Sequence, residues 1–99
     1  MLLENSIMKL INTTNSYSQL VESQLLNTDA KLIKVYSLGR TMVVYTERPQ
    51  IIEIVLENKG RNVQGSEIMQ VINELLNEKS RENYTIVKSK GLVEISAQI

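Results

Sequence analysis

Residues 32–57 read LIKVYSLGRTMVVYTERPQIIEIVLE, and how this stretch is assigned decides the fold. Its apolar residues fall in three blocks of about strand length, largely β-branched or aromatic, separated by Gly39-Arg40 and by Arg48-Pro49-Gln50. A helix through the same residues would have to absorb Gly39 and Pro49, and proline alone costs about 3 kcal/mol in a helix interior. Three consecutive strands joined by two tight turns are therefore expected. Gly39 tolerates the positive φ of a short hairpin turn. Pro49 cannot donate to a ladder and belongs in the second turn.

Strand parity then sorts the side chains. Ile52, Ile54 and Leu56 share one face, while Ile51 and Val55 share the other with Glu53 and Glu57. In the same way Met42 and Val44 oppose Val43 and Tyr45. Both faces are thus apolar, whereas an antiparallel sheet with one wet face alternates with polar residues. The second face needs a cover, supplied by more of this chain or by another copy. Val43, Tyr45, Ile51 and Val55 are the interface candidates on this reading, and a homodimer is expected because a two-fold contact lets one patch cover itself.

Outward from the meander, residues 8–12 (MKLIN) read as a first strand. Residues 1–7 read as an extension, with Met8 an equally good start and residues 8–99 one domain. Ser16 followed by Gln19 matches a capping box, and Tyr17, Leu20, Val21 and Leu25 fall at helical spacing behind it. A second helical stripe runs through Ile68, Val71, Ile72, Leu75 and Leu76, with Glu67, Glu74 and Glu78 placed outside it. Asn62 and Ser66 are its two possible N-caps, and Lys79 to Arg81 suit its C-terminal end. Residues 84–88 (YTIVK) and 92–97 (LVEISA) form a closing hairpin about Lys90-Gly91.

The order β-α-β-β-β-α-β-β points to an α+β two-layer sandwich: a five- to six-stranded, mixed or mostly antiparallel sheet with two helices on one face. A right-handed crossover would join the first two strands if they were parallel neighbours.

The chain has 99 residues, enough for one domain, with 11 basic and 11 acidic side chains and a formal net charge of zero. That balance gives no global argument for nucleic acid or an anionic membrane. No apolar run approaches the ~20 residues that span a bilayer, so no membrane role is expected. Histidine and cysteine are both absent, which removes disulfides, thiolate chemistry, Cys/His zinc sites and His-based acid–base catalysis. A chain without cysteine or a secretory signal fits a reducing cytoplasm. No metal and no cofactor are expected.

The segments MKLINTTNSYSQLV (from Met8), LIKVYSLG (from Leu32), ENKGRNV (from Glu57) and the ending LVEIS resemble a family of short proteins from low-GC Gram-positive bacteria, described only as a domain of unknown function. The resemblance extends from Met8 to the C-terminus. It implies no activity and no catalytic residue.

Among local constellations, Lys59-Gly60-Arg61-Asn62 before the second helix is the best anion-binding candidate, since helix amides and two cations suit phosphate or carboxylate. The Gly-Lys-Ser/Thr spacing of a Walker loop is missing, and a solvated connector would use the same residues. The polar run 12–18 suits a small polar ligand, and equally suits a turn and cap. Tyr36, Tyr45 and Tyr84 with Lys31, Lys34, Arg40, Lys88 and Lys90 suggest a base-stacking sheet face, although nucleic acid is not favoured without a basic excess. Glu53 and Glu57 are four apart on one strand, about 13 Å, too far for an acid–base dyad. The reading that results is a non-enzymatic interaction or regulatory module that self-associates; the alternative is a nucleic-acid or nucleotide/anion-binding module using the Lys59/Arg61 loop or the Tyr/Lys face.

Overall fold

A computed structural model describes residues 8–12 and 30–99. Strands form where alternation and β-branching put them: β1 (Met8–Asn12), β2 (Leu32–Leu38), β3 (Thr41–Glu47), β4 (Ile51–Glu57), β5 (Tyr84–Ser89) and β6 (Leu92–Gln98). They make one sheet in the order β1-β2-β3-β4-β6-β5, and every neighbouring pair is antiparallel. Two helices, α1 (Gly65–Leu75) and α2 (Glu78–Arg81), lie between β4 and β5 in the chain. The molecule is thus α+β, and because β1 and β2 are antiparallel, the parallel crossover does not arise. The helix expected from Ser16 onward lies outside the described residues.

Both glycine turns fall where backbone sterics demand them. Leu38 faces Thr41 across Gly39-Arg40, and Ser89 faces Leu92 across Lys90-Gly91. Gly39 has φ 61 and Gly91 φ 74, in the region where a side chain is strained.

The layers follow parity. Helix α1 lays Ile68, Val71 and Ile72 onto the sheet face made by Val43, Tyr45, Ile52, Ile54, Leu56, Val93 and Ile95. The opposite face holds a smaller cluster of Ile33, Val35 and Val44, each at most 5% exposed within the single chain. This changes the interface reading. Val43 and Tyr45 lie on the α1 face and Ile51 and Val55 on the other, so the four do not make one patch. Val43, Tyr45 and Val55 are buried in one chain and offer nothing to a second copy, which leaves only Ile51 half-exposed. The hydrophobic surface that called for a mate is already removed from water.

Helix α1 starts at neither expected cap. Gln64 is the N-cap, in extended conformation, and its N–H donates to Glu67 Oε1 at 3.1 Å. Glu67 does not sit outside the stripe: it is 5% exposed. One turn before Val71, it falls on the edge of the apolar stripe and turns inward. Lys79 to Arg81 do not close α1 either. Asn77 Oδ1 accepts from Ser80 N at 2.8 Å and opens α2, whose buried Ser80 hydroxyl donates to Gln98 O at 3.1 Å and ties it to β6.

Two glycines predict opposite outcomes. A Cβ on Gly91 would lie 2.8 Å from Asn58 O at a positive φ, whereas one on Gly65 meets nothing within 4 Å. Gly91→Ala is expected to lose about 1–3 kcal/mol, and Gly65→Ala to gain about 0.5 kcal/mol, read from urea unfolding midpoints. Thr46 is fully buried and its Oγ1 has no partner. Thr46→Val keeps the β-branch and removes an unsatisfied hydroxyl, so a gain of about 1 kcal/mol is expected in the same assay.

Candidate functional site

Two chain segments far apart in sequence meet at one end of the sheet: the loop 58–64 between β4 and α1, and the β5–β6 turn. The joint is a backbone hydrogen bond, Asn58 N to Gly91 O, at 2.9 Å. It needs glycine, because a Cβ on Gly91 would lie 2.8 Å from the carbonyl oxygen of Asn58.

Asn58 is buried, at 4% exposure, and spends its whole side chain on this corner. Its Oδ1 accepts from Gly60 N at 3.1 Å, which shapes the loop, and its Nδ2 donates to Thr41 Oγ1 at 3.3 Å. The Thr41 hydroxyl in turn donates to Glu67 Oε2 at 3.1 Å. A continuous set of hydrogen bonds therefore runs from the hairpin through the loop and the start of β3 to α1. Buried polar groups satisfied in this way fix a single geometry.

This framework brings together four exposed cations. Lys59 and Arg61 come from the loop, Lys88 and Lys90 from the hairpin. Two adjoining hollows lie between them. One, of about 500 Å³, is lined by Asn62, Val63, Lys88, Ser89, Lys90 and Val93. The other, of about 530 Å³, runs past Glu57, Lys59, Gly60, Arg61 and Lys90. Among the described residues the ion pair Arg48–Glu53, at 2.9 Å, engages none of the four.

The candidate residues Lys59, Gly60, Arg61 and Asn62 are thus placed together, with Lys88 and Lys90 added by the fold. The sequence pattern places those two lysines on a sheet face instead. The α1 amides, expected to favour an anion, are not open to one, because the carboxylate of Glu67 already occupies that helix end. A buried acid at the positive pole meets the need an external anion would otherwise fill.

The Tyr/Lys face does not survive as a stacking platform. Tyr45 is buried, and Tyr36 and Tyr84 are half-buried against the main core. Burial, then the charge of Glu47, which accepts the Tyr45 hydroxyl at 3.2 Å, pushes the Tyr45 pKa up to about 12. Tyr36 is raised by burial and by Glu74. Residues 13–18 of the other polar candidate lie outside the described residues. Among the described residues no group of three or more Asp and Glu side chains is placed to hold a metal ion, and no helix is long and apolar enough to cross a membrane.

A family described as Domain of unknown function (DUF1827) matches residues 8–98. The chain belongs to the DUF1827 family. A crystal structure of a conserved protein of unknown function from Streptococcus thermophilus is similar to it, with 36% identity and a TM-score of 0.69, covering 93% of this chain and 97% of that one. No curated protein matches.

The Tyr45 shift has a stability consequence. Its folded pKa lies above the ordinary 10.0, so the contribution is whole below pH 10 and is lost as pH rises toward about 12. The unfolding midpoint of the native protein is expected to fall more steeply between these limits than that of Tyr45→Phe, which has no phenol to ionise at that position.

Proposed function

We propose that this chain is a non-enzymatic binding module that takes a phosphate-bearing ligand at the corner between the β4–α1 loop and the β5–β6 turn. One observation carries the reading: four exposed cations from two distant segments converge on adjoining hollows in a chain whose net charge is zero. Positive charge gathered in a neutral protein raises the local concentration of anions without making the whole surface sticky.

The chemistry of the lining supports a phosphate with an attached ring. Lys88 and Lys90 line the Val63/Val93 hollow as point charges for phosphate oxygens, and Arg61, which borders the adjoining hollow, offers a planar fork to an oxygen that reaches across. Val63 and Val93 give the first hollow an apolar wall. Its volume falls in the range of small-molecule sites. The hydrogen-bonded framework under the loop supports binding with little ordering cost. Glu57 borders the second hollow and disfavours anions there, which points to the Val63/Val93 side as the seat. The absence of histidine and cysteine from the sequence supports binding in place of catalysis.

The test is an NMR titration of the full chain with ATP, inorganic triphosphate and a short single-stranded oligonucleotide. Amide shifts at residues 58–63 and 88–92 are expected, with ATP bound more tightly than triphosphate because of the ring. Lys59→Ala with Arg61→Ala, and separately Lys88→Ala with Lys90→Ala, are each expected to weaken binding about tenfold, equivalent to ~1.4 kcal/mol. If no amide in either segment moves at millimolar concentrations of any of the three, the reading is wrong.

A further inference from the structure

The two hollows at the corner are joined. Lys88 lines only the first, and Lys59 and Arg61 only the second, whereas Ser89 and Lys90 line both. These two residues form a saddle, over which a bound molecule passes from one hollow to the other without leaving basic side chains. The Ser89 hydroxyl is weakly committed to the fold. It donates to Leu92 O at 3.4 Å, against the range of about 2.5–3.0 Å usual for a hydroxyl donor. Turning it toward a phosphate oxygen gives up little.

Resting on the reading of the corner as a phosphate site, we infer that its ligand is a nucleoside polyphosphate whose tail crosses this saddle. The linings set the direction: the first hollow holds two valines and no acid, while the second holds Glu57 and both loop cations. The nucleoside lies in the first hollow, its ring against Val63 and Val93. Asn62 lines the same hollow and offers both a donor and an acceptor to the polar edge of a base. The first phosphate lies beside Lys88, the next meets Ser89 and Lys90, and the last reaches Arg61 and Lys59.

A nucleic-acid strand fits this corner less well. Single strands are held largely by stacking successive bases on aromatic rings, and among the described residues neither lining contains an aromatic side chain. One ring has a wall here, and a row of rings has none. Glu57 at the far side of the second hollow acts as the repulsive element that ends the tail.

The test is calorimetric and NMR titration of the full chain with adenosine mono-, di- and triphosphate, with no metal ion added. Affinity is expected to rise about two- to fivefold with each phosphate, the scale of one exposed charge pair. The monophosphate is expected to move amides at 62–63 and 88–92, and the longer ligands to add 58–61. Longer tails also carry more charge, so a neutral replacement separates a seated tail from diffuse attraction. Ser89 is exposed, and Ser89→Ala is expected to weaken the triphosphate about threefold and the monophosphate by less. Lys59→Ala with Arg61→Ala is expected to weaken the triphosphate about tenfold and the monophosphate at most about twofold, and Glu57→Gln to tighten the triphosphate about two- to fivefold. Equal affinities for mono- and triphosphate, triphosphate shifts confined to 62–63 and 88–92, or a Ser89→Ala loss that does not grow with tail length overturns the inference and leaves the phosphate reading standing. A short oligonucleotide that displaces the triphosphate at lower concentration overturns it as well. If none of the three nucleotides moves an amide at the corner, the phosphate reading and this inference fall together.

Discussion

Asn58 is the residue on which the corner of this molecule depends. Its backbone N–H reaches the β5–β6 turn, one side-chain atom shapes the loop that follows, and the other engages β3 and, through Thr41, the carboxylate of Glu67. The bonds from Asn58 to Thr41 and from Thr41 to Glu67 lie out of water, where leaving a donor or acceptor unmade costs about 1–3 kcal/mol. The basic loop is exposed and polar, so hydrophobic burial cannot hold it. Buried hydrogen bonds do that instead, and they set the spacing of the four cations as a by-product of closing the core.

A second constraint acts on the opposite face. A meander with apolar side chains on both sides must be covered twice, and the chain achieves this alone, since Ile33, Val35, Val44 and Val55 are all nearly inaccessible. The argument for a mate that rests on uncovered central strands therefore ends with the fold. What remains available is main-chain hydrogen-bonding capacity at the end of the sheet, a different kind of surface. Central faces are satisfied by burying area, but an edge is satisfied only by another strand, a bulge or water.

Legibility in the sequence followed the physics of each feature. The strands were readable because β-branching, parity and punctuation by Gly39, Pro49 and Gly91 agree with one another. Glu67 was not, because a carboxylate at the edge of an apolar stripe looks like the start of the wet face. The hydroxyl of Thr41, 26 residues earlier, together with the Gln64 N–H at the helix start, makes its burial tolerable. The signal was present as spacing, Glu67 lying four before Val71, but its meaning depended on a partner that pattern alone does not bring near. The anion site was half readable for the same reason: Lys59 and Arg61 are neighbours in the chain, while Lys88 and Lys90 join them through strand order, with β6 between β4 and β5.

Strand order also explains why a neutral composition was a poor guide to local charge. With equal numbers of acids and bases, the sum says nothing about where they lie. The antiparallel β4–β6–β5 arrangement turns the end of β4 and the β5–β6 hairpin toward the same rim of the sheet, so the cations that flank both turns gather there. Acidic side chains are spent elsewhere: Glu53 on Arg48, Glu47 on Tyr45, and Glu67 on the first turn of α1. Each of these acids answers a local structural need, and among the described residues no ion pair engages the lysines at the rim. A charge without a structural task is the place to look for a functional one.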